Sequence, residues 1–377
     1  MNNALCSQVE ELFKSNRIEE AAQLSLRLAG EMPDNEDNWN NLGAIMFRIQ
    51  KFEEAKRCFT KALELNPGHS EARENLLRMG MPYDDEKTII AKWEQHTDYK
   101  ELASATWMSS PLVRENFCRH ITGNPNKEWH GWLTDIYPQL RQPNNNHLLV
   151  LGCGVALSEL FLLDIGFCST AMAIDIVPAA IESNIASASQ RGYGDKVIYK
   201  ASNINTITLP ENQFDLLFVS HSFHHFENLE HIMAEVRKAL KPGALLIIDD
   251  YVGPSRFQFP DRQFAMMNDL LHMLPAEWLK PDIVRWPLSV FLEGDPSEAV
   301  RSEEIVPLLK DHFNITHYRP YGGSLLHMLL QDTVRNFSNT DPKDRAIMQL
   351  LIYIENLAIE AGMVDNSFAL IVAENQK

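Results

Sequence analysis

The segment HLLVLGCGVALSELFLLDIGFCSTAMAIDIVPAAIESN, residues 147–184, constrains the fold more than any other part of the chain. Its opening run, HLLVL, is continuously apolar, as expected of a strand buried on both faces of a parallel sheet. Gly152 and Gly154 follow at once, and VALSELFLLDIG then has helical spacing. The glycines allow a sharp turn and let a ligand approach the backbone at the helix N-terminus. A second strand, TAMAIDI, ends in Asp175, about 20 residues beyond the first glycine, where a carboxylate can take both hydroxyls of a ribose. The segment is a βαβ unit suited to a ribose-bearing ligand. A nicotinamide dinucleotide fits poorly, because Leu157 stands where its fingerprint needs a third glycine for close packing beside the pyrophosphate.

The 377 residues allow two or three domains of about 150 residues each. Asp and Glu number 51 against 34 Lys and Arg, a formal charge of -17 that disfavours nucleic acid and anionic membrane surfaces as partners. Cys6, Cys58, Cys118, Cys153 and Cys168 are odd in number and form no CxxC pair, which reads as reduced thiols without a zinc frame. The start, MNNALCSQVEELF, lacks a basic n-region and an apolar core, and no apolar run reaches the roughly 20 residues of a membrane helix. A soluble cytoplasmic protein is expected.

Residues 1–80 repeat. IEEAAQLSLRLAGEMP (18–33) and FEEAKRCFTKALELNP (52–67) coincide at a shift of about 34 residues, aligning Glu19, Glu20, Ala21 and Pro33 with Glu53, Glu54, Ala55 and Pro67. The second unit carries Trp39, Leu42, Gly43, Phe52, Ala55, Phe59, Ala62 and Pro67, and so resembles the tetratricopeptide repeat. Small Gly43 and Ala55 let two helices approach, Phe52 and Phe59 fill the space between them, and Pro67 ends the second helix. The first unit departs at Val9, Ser25 and Leu28, and HSEARENLLRMG (69–80) reads as a capping helix. Such a module offers a groove for a protein partner or a self-association surface, weighed evenly against a packing appendage.

GMPYDDE (80–86) marks a boundary by its Gly, Pro and acids. A helical bridging segment, 81–141, carries Trp93, Tyr99, Trp107, Trp129, Trp132 and Tyr137. Core packing is the first expectation for these rings, with a roof over a substrate pocket as the second. RQPNNNH then leads into the first strand.

Further strands follow the βαβ unit in KVIYKASNI, LPENQFDLLFVSHSFHHF and RKALKPGALLIIDDYVG, and FNITHYRPY and SFALIVAEN flank the helix DRAIMQLLIYIENLAIEAG. With VLGCG, Asp175, LPENQFDLLFVSHSFHH and LKPGALLIID in this order, the sequence resembles the class I S-adenosylmethionine-dependent methyltransferases from Trp107 to the C-terminus. The resemblance implies an α/β fold over 142–377, a doubly wound seven-stranded Rossmann-like sheet with strand 7 antiparallel, preceded by the all-α repeats. It implies S-adenosyl-L-methionine as cofactor, held by Gly152, Cys153, Gly154, Asp175, Ile176, Asn203, Ile204, Ser220 and His221. In that role Asp175 would take the ribose hydroxyls, Ile176 the adenine ring and the Asn203 amide oxygen the adenine amino group. Two positions depart from the family pattern: Val150 replaces an acid of the first motif and Ala156 a small glycine.

Methyl transfer to oxygen benefits from a base, and the candidates are His221 and Asp250, at the ends of strands four and five. His221, His224 and His225 sit on one short turn without a carboxylate at a usual ligand spacing, so no metal is expected. An insertion near 250–312 is expected to cover the acceptor with Tyr251, Arg256, Arg262 and His272, although the arginines could equally pair with surface acids such as Asp261 and Asp269. The expected function is methylation, preferably at oxygen, of a small-molecule, sugar or carrier-borne acceptor. The alternatives are a protein methyltransferase whose repeats grip the substrate, or a scaffold without turnover.

Overall fold

A computed structural model describes residues 9, 12, 17–49, 51–66, 68–79, 86–95, 104, 106–141, 145–287, 290–291 and 294–376. Cys6, Pro67, Gly80, Tyr99 and loop residues 142–144 lie outside them. The chain divides into two compact units, Met1–Asp85 with Pro287–Glu293, and Glu86–Trp286 with Gly294–Lys377. From Glu86 onward the bridging segment lies in the second unit.

The first unit contains α1 (Ile18–Glu31), α2 (Glu36–Arg48), α3 (Phe52–Leu65) and α4 (Ser70–Arg78). The Asn35 side chain accepts the Asn38 N–H at 2.9 Å and starts α2, with Glu36 and Asp37 in its first turn and Arg48 in its last, each favourable to the helix dipole. Gly43 lies against the Phe59 ring so closely that a Cβ there would meet Cε1 at 2.5 Å. Phe59, Ala55 and Ala62 are fully buried with Ala72 and Leu76 of α4. Phe52 does not fill this seam. It is half exposed and sets its edge against Phe47, with ring centroids 5.6 Å apart.

The second unit is built on β1 (His147–Leu151), β2 (Thr170–Asp175), β3 (Val197–Ala201), β4 (Phe214–Ser220), β5 (Leu240–Tyr251), β6 (Asn314–Gly322) and β7 (Phe368–Glu374). Their order is β3-β2-β1-β4-β5-β7-β6. β1 to β5 pair in parallel, and β7 runs antiparallel to both β5 and β6. Both faces are covered, which explains the unbroken apolar strands. Leu149, Leu151, Leu217, Val219, Leu246 and Ile248 pack with the helices Leu229–Ala239 and Ile305–His312. On the alternate parity, Phe218 stacks on Trp129 at 5.6 Å. Trp107 lies on Tyr321 and Phe368, Trp132 meets His317, and the Tyr137 hydroxyl is 2.6 Å from that of Thr316. These four aromatics of the bridging segment pack on the sheet. No helix among the described residues is long and apolar enough to cross a membrane.

Chain order reverses between β1 and β4, so their carboxyl ends open the crevice where ligands bind in open α/β sheets.

Candidate functional site

The turn after β1 places Gly152 and Gly154 at φ +66° and +48°. A Cβ at Gly152 would meet that of Ser222 at 2.6 Å, so glycine is required there for approach as well as conformation. The N–H groups of Gly152 and Cys153 both donate to the Ile174 carbonyl, and Gly154 N–H donates to Asp175 Oδ2 at 2.8 Å. With these amides tied to β2, the turn has no cradle for a phosphate at those positions. Asp175 Oδ1 accepts the Val177 N–H at 2.9 Å. Each oxygen of this carboxylate keeps a lone pair for a further donor. Burial pushes its pKa up, opposed by the two backbone donors. A buried carboxylate in such a setting fits a ligand that brings hydroxyls or positive charge.

Other expected contacts are placed differently. The Cys153 thiol is buried, which pushes its pKa well up, and Asn184 donates to the Gly154 carbonyl beside it at 2.8 Å. Ile176 is half-buried at the crevice end of β2. Ile204 is buried and belongs to the apolar cluster that includes Phe223 and Phe226. The Asn203 amide oxygen accepts the Asn205 N–H, and its amide nitrogen donates to Glu86 Oε2 at 3.0 Å. At this rim Glu86 of the helix Glu86–Trp93 offers a carboxylate that no motif in the sequence announced.

After β4 the chain turns sharply. Half-exposed Ser220 ends the strand, and His221 adopts φ +50°, with its N–H on the Asp249 carbonyl at 2.8 Å. Left-handed backbone at a non-glycine residue costs on the order of 1 kcal/mol and is typical of functional turns. Its exposed ring brings Nε2 to 4.0 Å from Asp249 Oδ2, while Tyr321 donates to Asp249 Oδ1 at 2.6 Å. Burial raises the Asp249 pKa, and His221 and Tyr321 oppose that rise.

Asp250 is corrected from base to turn anchor. It is fully buried, and its oxygens accept the N–H groups of Ser222, Phe223 and Tyr251 and lie 2.5 Å from His224 Nδ1. Burial would raise its pKa, but His224 and the backbone donors hold it below the usual carboxylate value.

The insertion also departs from expectation. Buried Arg256 donates to the Glu298 and Pro296 carbonyls at 2.8 and 2.6 Å, so it fastens this loop instead of facing an acceptor. His272 is exposed and pairs with Asp282, Arg262 is exposed on Asp261–Met273, and Asp261 pairs with Arg285. Tyr251 donates to the Pro254 carbonyl and its ring is buried. That ring packs against Phe257, Phe368 and His327, with centroids 4.9, 5.3 and 6.1 Å away. Buried His327 Nδ1 has no hydrogen-bond partner among the described residues, and burial drives its pKa down to about 4 against the pull of Glu298.

Beneath lies a charged cluster. Burial disfavours protonation of His224, yet Asp250 and Glu298 raise its pKa to about 10. Burial would likewise raise Glu298, but His225 and His224 bring it down to about 2. The Trp93 indole donates to Asp295 at 2.9 Å and meets the His225 ring edge-on.

A family model described as a methyltransferase domain matches residues 149–248, and one for the tetratricopeptide repeat matches residues 37–69. A sterol 4-C-methyltransferase of Caenorhabditis elegans is 26% identical over 117 residues, covering 31% of this chain and 34% of that protein. A probable tocopherol O-methyltransferase, chloroplastic, of Oryza sativa subsp. japonica is 26% identical over 164 residues, 42% and 44% of the two chains. The matches thus span less than half the length of either relative. An S-adenosylmethionine-dependent methyltransferase from Mesorhizobium loti aligns with a TM-score of 0.39 at 17% identity, over 66% of this chain and 97% of that one. The chain thus carries a methyltransferase domain, matched over residues 149–248 of the seven-stranded sheet unit, together with a tetratricopeptide repeat matched over residues 37–69.

Proposed function

We propose that the second unit binds S-adenosylmethionine at the ends of β1, β2 and β4 and directs its methyl to an oxygen of a small apolar acceptor. The observation that carries the reading is Asp175, a buried carboxylate anchored by the Gly154 and Val177 N–H groups with a lone pair left on each oxygen. The committed amides of the glycine turn support a cationic, hydroxyl-bearing ligand over a pyrophosphate. Glu86 supports adenine amino recognition in place of the engaged Asn203 oxygen.

The sulfonium supplies an activated methyl, so the protein's task is to align an acceptor atom about 3 Å away. Tyr251, Phe257, His327 and Phe368 offer an aromatic wall for an apolar body. His221 is the base in this scheme, its ring exposed and its other side turned toward Asp249. The sterol and tocopherol named for the two relatives are small, largely apolar molecules, in keeping with such a wall. The repeats of the first unit would serve association with a protein.

Calorimetric titration of the full chain with S-adenosylmethionine tests the reading. Saturable binding is expected, and Asp175→Ala should weaken it about 10–100-fold, the scale of one or two lost hydrogen bonds to a charged group. Failure of the parent to bind, or unchanged affinity in the variant, would overturn it.

A further inference from the structure

The turn after β4 and the far end of the insertion meet in a cluster that methyl transfer does not use. His224 and His225 occupy the short 3-10 turn Phe223–His225, and Glu298 arrives from the insertion. His224 Nε2 is 3.5 Å from Glu298 Oε1, and His225 Nε2 is 4.0 Å from Glu298 Oε2. One ligand atom from each of the three residues lies within 4.8 Å of the others. We propose that His224, His225 and Glu298 bind one divalent first-row cation of the zinc type.

The spacing is close to what such an ion requires. Bonds of about 2.1 Å put neighbouring ligand atoms about 3.0–3.4 Å apart, so a contraction on the order of 1 Å completes the set. Two imidazoles with one carboxylate suit zinc and its transition-metal neighbours, whereas magnesium and calcium take oxygen ligands.

The outer partners match as well. A metal-bound imidazole normally donates its other N–H to a carboxylate or a hydroxyl-like acceptor, which fixes tautomer and ring orientation. His224 Nδ1 faces Asp250 Oδ1 at 2.5 Å. His225 Nδ1 faces Ser297 Oγ at 2.9 Å, and that hydroxyl donates to Asp295 Oδ1 at 2.5 Å. An ion entering beside Glu298 would take the place of the Nε2 proton of His224, and both Nε2 lone pairs would then face the metal. Asp250, Asp295 and Glu298 also supply negative charge that a dication would balance.

The backbone that carries the carboxylate is held before any ion arrives. Arg256 grips the Glu298 and Pro296 carbonyls, Val300 N–H donates to the His224 carbonyl at 3.1 Å, and Ala299 adopts φ +48°. Two strained residues, Arg256 and Ala299, thus share one backbone hydrogen bond, Arg256 N–H to the Ala299 carbonyl at 2.7 Å, next to the proposed ligand. Three protein ligands leave a position for water or an acceptor oxygen, unlike the four that close a structural zinc site. The ion would also pin residues 295–300 to the turn after β4. None of this depends on cofactor binding.

Metal-stripped full-length protein, titrated with Co2+ as a spectroscopic probe and then with Zn2+, tests the proposal. One tight Co2+ per chain is expected, with visible ligand-field bands that Zn2+ abolishes. Paramagnetic NMR of the parent should show two shifted exchangeable imidazole N–H protons. Glu298→Gln and His225→Ala should each weaken uptake at least about 100-fold, and Ser297→Ala about tenfold, the scale of a lost outer partner. No tight uptake, one or no shifted imidazole proton, or unchanged affinity in folded Glu298→Gln would each overturn it. Circular dichroism reports the fold of the variants, and should they unfold, the parent's imidazole spectrum alone decides.

Discussion

His221 holds the backbone energy of a φ of +50° while its ring stands exposed between Asp249 and the crevice. As the proposed base it makes a specific prediction: His221→Gln should lower kcat about 100-fold or more while S-adenosylmethionine affinity stays within about twofold. An equal loss in both would make the residue a support of the turn. Asp175 was legible in the sequence because its position at a strand end after a glycine turn is set within one βαβ unit. The neighbouring acids of β5 were not. Successive strand residues point to opposite faces, so Asp249 and Asp250 could not both serve the crevice. Only the course of the turn after β4, which gives Asp250 the N–H groups of Ser222 and Phe223, decides that Asp249 is the partner of His221. Glu298 was invisible for a related reason: it lies far along the chain from His224, in a segment without periodicity.

At the level of elements, periodicity served well wherever helices or strands pack on their immediate neighbours. The helices Glu36–Arg48 and Phe52–Leu65 meet where Gly43 faces Phe59, as the repeat pattern requires. Gly43→Ala should therefore shift loss of helical signal in urea to lower concentration, at a cost of about 1–3 kcal/mol for overpacking. Gly30, helical and with open space at its Cβ position, provides the contrast: Gly30→Ala should stabilise by up to about 1 kcal/mol through helix propensity. If both substitutions acted alike, the close approach at Gly43 would lose its support. The insertion was the element least legible, because Arg256 satisfies carbonyls of its own loop and a list of polar side chains cannot reveal that.

Across the whole second unit, buried charge links elements that are distant in sequence. Glu159, at the start of the helix Ser158–Asp164, is fully buried and accepts the Tyr199 hydroxyl of β3 at 2.6 Å, while Oε2 has no partner among the described residues. Burial raises its pKa above 4.5, with Tyr199 opposing. A raised carboxyl lends its stability below the unfolded pKa and loses it as pH climbs through the folded value, so the ionised form costs stability at neutral pH. Glu159→Gln keeps an acceptor for Tyr199 and removes the charge. Its Tm should exceed the parent's by on the order of 2 °C near neutral pH, and the gain should shrink toward zero at about pH 4.5. A gain independent of pH would contradict this account. The amino-acid order alone determined the repeat, the order of βαβ units and the place of Asp175 at the end of β2, because each depends on spacing within one or two elements. Tertiary structure alone decided which acid faces His221, where Glu86 and Glu298 come to rest, and which polar side chains serve the loops. Those outcomes depend on how distant segments pack and on where each buried polar group finds its partner, and no local spacing encodes them.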